Sequence, residues 1–188
     1  MFITIWEIID IVIMTFAIGF IFSDFFKREP LEGYDPIKYF SQSSRWQNVK
    51  FAAMIAAPVV VIHELAHKFV AMGFGATATL HAPINIYAIV ILLKLLRFPL
   101  LFFIGGYVEH SALPYLQSAW VSIAGPLSNF LIWGVIYLII HYKLVDKKYY
   151  KILQPMAKLS LFLGIFNMLP VPGFDGFNFF SALFRAFF

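Results

Sequence analysis

Two histidines four residues apart, with a glutamate between them, lie inside an unbroken apolar stretch: His63-Glu64-Leu65-Ala66-His67. On a helix this spacing puts both imidazoles on one face, where they can reach a single metal ion. The glutamate can hold and deprotonate a water bound to that ion. Ionisable groups surrounded by hydrocarbon are costly and are functional candidates for that reason. The pattern therefore predicts hydrolysis carried out within a lipid bilayer, with Glu64 as the catalytic base.

A catalytic zinc site usually takes three protein ligands plus water. Glu7, Asp10, His81, Glu109, His110, His141 and Asp175 are all available as the third. His81, His110 and His141, taken singly, read as packed histidines. Asp175 is the best candidate. It follows Asn167-Met168-Leu169-Pro170-Val171-Pro172-Gly173-Phe174 and precedes Gly176. The prolines end a helix and the glycines permit a tight turn, and a helix interrupted at membrane depth can aim a side chain into the bundle. The chain has no cysteine, so its metal ligands must be nitrogen and oxygen. Zn²⁺ suits them, although another divalent ion fits the same donors.

Composition supports a membrane setting. The 188 residues are 61% hydrophobic and 13% charged, whereas a soluble domain is nearer half apolar and a quarter charged. That length suits one compact bundle without a large soluble module. The formal charge of +4 comes from basic residues beside apolar segments. This indicates contact with lipid head groups and excludes nucleic acid as the expected partner.

A span needs about 20 mainly apolar residues. Residues 1–22 form a first span, without the basic start of a signal peptide, although Glu7 and Asp10 are unusual in it. Residues 23–50 are a polar connection. Residues 51–74 form the span that carries the metal motif, with Gly73 and Gly75 as terminators. Within 75–115, ATATLHAP suggests a short strand and Gly105-Gly106-Tyr107 a turn; Lys94, Arg97 and Pro99 interrupt the apolar run between them. An interfacial or re-entrant segment with strand character fits better than a full crossing. Residues 117–141 are a third span and 142–151 a basic connection. Residues 152–176 are a broken fourth span, and 177–188 an interfacial tail. The predicted fold is an all-α membrane protein: a polytopic bundle of about four transmembrane helices, treated as one domain, with a small membrane-associated or re-entrant β element. The expected location is a multi-pass position in the cell membrane.

These residues resemble the site-2 protease family of intramembrane zinc metalloproteases, in a small form without PDZ or CBS modules. His63-Glu64-Leu65-Ala66-His67 matches the family's metal motif. Asn167-x-x-Pro170-x-Pro172-x-x-Asp175-Gly176 is similar to its late aspartate-glycine motif. Gly125-Pro126-Leu127-Ser128-Asn129 resembles its Gly-Pro-x-x-Asn, and Gly105-Gly106-Tyr107 the glycine-tyrosine turn of its membrane β-hairpin. The resemblance spans roughly residues 51–177. It implies that His63, His67 and Asp175 bind zinc and that Glu64 is the general base and later proton donor. It also implies that Asn129 and Asn167 hold substrate backbone or an oxyanion, Asn167 alternatively capping broken helix ends. The segment near 100–110, with Gly105 and Gly106, would pair with an unwound strand of a transmembrane protein substrate.

Four spans place residues 23–50 and 142–151 on one side, with most of the lysines and arginines, and Lys94, Arg97 and Arg185 on the other. The positive-inside rule makes the first side cytoplasmic; the family resemblance implies the reverse. The competing functional reading is a membrane metal-ion transporter or a metal-binding membrane protein without proteolytic activity. Transport predicts polar residues spread over several helices and often an internal repeat, neither of which the sequence has. It carries no signal for oligomeric state.

Overall fold

The structure, a computed structural model, describes residues 2–27, 42–98 and 105–188. Residues 28–41 of the expected connection, Pro99, and the 100–104 part of the expected substrate strand lie outside them. The order of elements is α1 (Ile5–Phe22), α2 (Gln42–Gly73), β1 (Ala78–His81), α3 (Ile84–Leu95), β2 (Tyr107–His110), α4 (Tyr115–His141), a 3-10 turn (Lys147–Tyr149), α5 (Tyr150–Asn167) and α6 (Asp175–Phe187).

Among the described residues, three helices are long and apolar enough to cross a membrane: α1, the Arg45–Gly73 part of α2, and α4. The expected fourth span corresponds to α5, which matches α1 in length at 18 residues but carries Lys151, Gln154 and Lys158. The break after it covers residues 168–174, and α6 starts at Asp175 itself.

Helix ends follow local chemistry. Thr4 and Glu7 form a capping box: Glu7 N donates to Thr4 Oγ1 over 3.3 Å, and Thr4 N donates to Glu7 Oε2 over 2.7 Å. Helix α2 begins at Gln42, well inside the expected connection. It stops at Gly73. Gly75 then adopts φ 84° and Ala76 N donates back to Ala71 O, a left-handed C-cap that glycine permits.

The centre of the bundle is α2, packed on α1, α4 and α5. Met14, Ile18, Ile55, Val59 and Leu80 are fully buried there. Helices α1 and α2 approach closely at Gly19, where a methyl group would lie 2.7 Å from Ala53 Cβ; a small residue allows that contact. Outward faces carry Trp6, Phe16, Met54, Trp120 and Leu131, all exposed, as lipid contact requires.

The two strands pair antiparallel, Ala78 opposite His110 and His81 opposite Tyr107. Residues 82–106 thus leave the sheet and return to it. Strand character was expected to extend through this excursion; instead Ile84–Leu95 is helical. A helix satisfies its backbone polar groups internally, which an isolated strand at membrane depth cannot do. At 12 residues it is too short to cross. Its far end docks on the end of α1: Lys94 Nζ donates to the Phe20 and Ile21 carbonyls and to Ser23 Oγ, and pairs with Asp24 at 3.2 Å. This corrects the sequence-based partition, which put Lys94 on the side away from residues 23–50. The helix carries it down to where α1 ends.

Helix α2 runs into the sheet and α4 runs out of it, so the two are antiparallel. The same sheet sits beside the start of α1, because Leu80 N donates to Glu7 Oε1 over 2.9 Å.

Candidate metal centre

His63 and His67 lie one helical turn apart on α2, and Asp175 is the first residue of α6. The helix break between α5 and α6 brings the carboxylate back onto the histidine face. One ligand atom from each residue falls within 4.8 Å of the others. His63 Nε2 is 3.0 Å from Asp175 Oδ2 and 3.1 Å from His67 Nε2; His67 Nε2 is 3.4 Å from Asp175 Oδ2. Gly176 must lack a side chain, since a methyl group there would meet the Leu169 carbonyl at 2.8 Å.

These donors fit a small divalent cation. Tetrahedral ligands on bonds of ~2.0–2.1 Å are separated by roughly 3.3–3.4 Å, close to the triangle observed. Two imidazole lone pairs cannot face each other favourably at 3.1 Å unless a cation or proton lies between them. The ring tautomers suit a cation. His67 Nδ1 donates to the Val121 carbonyl over 2.7 Å, which leaves Nε2 unprotonated and aimed at the triangle. His63 Nδ1 lies 3.0 Å from the Asn129 amide, whose Oδ1 has no partner. A half-turn of that amide, indistinguishable by shape, makes Oδ1 the acceptor of a His63 Nδ1–H and frees Nε2 in the same way.

Helix α4 presses on both rings because of Gly125. A methyl group there would sit 2.6 Å from His63 Nε2 and overlap the His67 ring. Asn129, one turn further, is fully buried, and its main-chain carbonyl accepts from Ser160 Oγ of α5 over 2.8 Å. Resemblance suggested that Asn129 holds substrate or an oxyanion. In the structure its side-chain amide lies against the His63 ring.

Glu64 is buried, 6% exposed, and faces the residues before β2. A methyl group on Gly105 would lie 2.6 Å from Glu64 Oε1, and one on Gly106 would lie 3.2 Å from Glu64 Cγ and 2.9 Å from Met14 Cε. The Gly106 amide donates to the carboxylate. Tyr87 on α3 donates to the Gly105 carbonyl over 3.0 Å. Burial, reinforced by the Glu64 and Asp10 carboxylates, pushes its hydroxyl above the ordinary phenol range, so it remains a donor. The two glycines, expected as substrate contacts, thus also form the bed of the Glu64 carboxylate.

A cavity of about 330 Å³ opens over these groups. Its walls are His63, Glu64, His67 and Asp175; Gly105 to Val108 and His110 from the β2 side; Ser122 from α4; and Asn167, Gly173, Phe174 and Asn178 around the break. Asn167 is on this wall. His81 stands apart, 3.6 Å from Asp10 and 4.0 Å from Glu109, and His141 stacks on Tyr137 at the far end of α4. Sequence reasoning missed Val121, which acts through its carbonyl and has no side-chain signature. It also missed Asn178, one turn beyond Asp175; that spacing was the available signal.

The pattern of peptidase family M50 matches residues 134–188, which include Asn167 and Asp175. That stretch of the chain is similar to peptidase family M50. The chain is 30% identical over 117 residues to a zinc metalloprotease of Methanocaldococcus jannaschii, covering 62% of this chain and 29% of that protein. It is 29% identical over 177 residues to a second protein of that organism, provisionally named a zinc metalloprotease, covering 90% of this chain and 81% of the relative. The chain therefore spans under a third of the first relative and about four fifths of the second. No solved structure matches it.

Proposed function

We propose that this chain is an intramembrane zinc metalloendopeptidase that hydrolyses peptide bonds within or near transmembrane segments of membrane protein substrates. The observation that carries this reading is the convergence of His63, His67 and Asp175 beside the Glu64 carboxylate, at one cavity of an apolar helix bundle. The two relatives, both named zinc metalloproteases and one of them provisionally, support it.

His63, His67 and Asp175 would hold the ion. When bound, zinc supplies Lewis acidity, acidifying water and polarising a carbonyl. Glu64 takes the proton from the attacking water; the Gly106 amide fixes the carboxylate for that transfer. Glu64 then returns the proton to the leaving nitrogen. Asn129 and the Val121 carbonyl keep the two imidazoles turned towards the ion. A helical substrate shields its own carbonyls, so it must unwind first. Strand β2 pairs with β1 along one edge and places Tyr107, Val108 and His110 on the cavity wall. An unwound substrate strand laid along its other edge would be held open by main-chain hydrogen bonds. Asn167, which also lines the cavity, would meet such a strand.

The test is a cleavage assay on a reconstituted transmembrane substrate combined with metal analysis of the purified protein. Wild type should carry about one zinc per chain and cleave. Glu64→Gln should keep the metal and lose cleavage by at least about 10²-fold, on the order of a general-base contribution. Cleavage by Glu64→Gln at the wild-type rate would overturn the assignment.

A further inference from the structure

Helix α3 carries neither a candidate ligand nor the base, yet it is anchored at both ends and buried in between. At its start Tyr87 N donates to the Pro83 carbonyl over 2.9 Å. At its far end Lys94 docks on the end of α1. The side chains of Tyr87 and Val90 are buried. The Tyr87 hydroxyl is therefore held in place, and it donates to the Gly105 carbonyl over 3.0 Å.

That carbonyl belongs to the same peptide group as the Gly106 amide, and the Gly106 amide donates to the Glu64 carboxylate. One planar unit thus has the tyrosine on its oxygen and the glutamate on its hydrogen. A donor on the oxygen strengthens donation from the nitrogen, because hydrogen bonds in series polarise one another. The tyrosine also fixes which way the group faces. With glycine on each side, no Cβ opposes rotation of the peptide. A half-turn would present the Gly105 carbonyl to the carboxylate, oxygen against oxygen. Gly105 packs so closely on Glu64 that a methyl group would lie 2.6 Å from Oε1, so the carboxylate must follow the peptide it rests on.

We propose that Tyr87 is a positioning residue: by holding the Gly105 carbonyl it locks the 105–106 peptide, and so sets the direction of the Glu64 carboxylate in the cavity. Its effect on turnover rests on the peptidase reading; its effect on the peptide rests on geometry alone.

Gly105-Gly106 is the one place in the sequence where two glycines adjoin. In protein grown on glycine labelled with ¹³C at the carbonyl and with ¹⁵N, the Gly105 carbonyl and the Gly106 amide are therefore the one directly bonded labelled pair. NMR reads that pair in the metal-free protein in detergent. Tyr87→Phe should move the Gly105 carbonyl and the Gly106 amide proton upfield, away from their hydrogen-bonded positions. Val90→Ala, which loosens the same helix without touching the hydroxyl, should move neither. In the cleavage assay Tyr87→Phe should lower kcat at least about tenfold at unchanged KM and zinc content, and Val90→Ala should keep the wild-type kcat. Unmoved resonances in Tyr87→Phe, or equal movement in Val90→Ala, overturn the lock. Moved resonances with a wild-type kcat overturn the positioning role. Absence of cleavage by wild type itself would sink the peptidase reading, while the resonances would still decide whether Tyr87 locks the peptide.

Discussion

Glu7 of α1 and Lys68 of α2 form an ion pair in which neither side chain exposes more than 2% of its surface. The same Glu7 oxygen accepts from the Leu80 amide of β1, so one carboxylate joins two helices and the sheet. Removing one partner of a buried pair leaves an uncompensated charge and costs about 3–5 kcal/mol. Lys68→Met and Glu7→Gln should each destabilise the detergent-solubilised protein by that amount, read from its unfolding transition. The double variant Glu7→Gln/Lys68→Met should lose clearly less than the sum, because the glutamine keeps an acceptor for the Leu80 amide and no charge is stranded. Additive losses in the double-mutant cycle would show that the pair is not coupled.

Gly125 decides how near α4 can come to the histidines. Gly125→Ala puts a methyl group into both rings and should lower zinc affinity at least about tenfold, read by competition with a chelator. Gly134 lies on the same helix with nothing within 4 Å of the added carbon. Gly134→Ala should bind zinc as wild type does. Equal affinities in the two variants would refute the packing argument.

Asn129 touches the His63 ring, and on the proposed metal reading it would act on the ion through that ring. Groups that orient a ligating histidine are worth ~10–100-fold in metal affinity. Asn129→Ala should fall in that range and should have its cleavage largely restored at saturating zinc. An activity loss that zinc cannot restore would mean that Asn129 meets the substrate after all.

Gly105 should separate base from metal. Gly105→Ala forces the Glu64 carboxylate out of its bed while the three ligands stay untouched. Turnover should drop at least about tenfold with the zinc content unchanged. Simultaneous loss of zinc would place the damage in the ligand set.

The elements near the chemistry were legible where a local rule applied. Helical spacing put His63 and His67 on one face, and the proline-glycine run announced the break that returns Asp175. Helices Ile5–Phe22 and Tyr115–His141 lie where the long apolar runs 1–22 and 117–141 suggested helix. What escaped was long-range. Nothing in the residues 84–95 says that they form a helix docked by Lys94 on the end of α1, since an apolar segment rich in Ile and Leu suits several conformations until its backbone has to be satisfied. The contact of Asn129 with the His63 ring escaped for a related reason: motif spacing brings a residue near a site without saying which side chain it will touch. Lys68 went unremarked because its partner is 61 positions away.

His67 and His63 are steadied differently, one by the Val121 carbonyl and the other by the Asn129 side chain. A main-chain acceptor survives almost any single codon change at position 121, whereas the amide is lost by a single replacement at position 129. The two histidines therefore have unequal genetic robustness, and on the proposed metal reading inactivating variants that spare His63, His67 and Asp175 should accumulate on the His63 side of the centre.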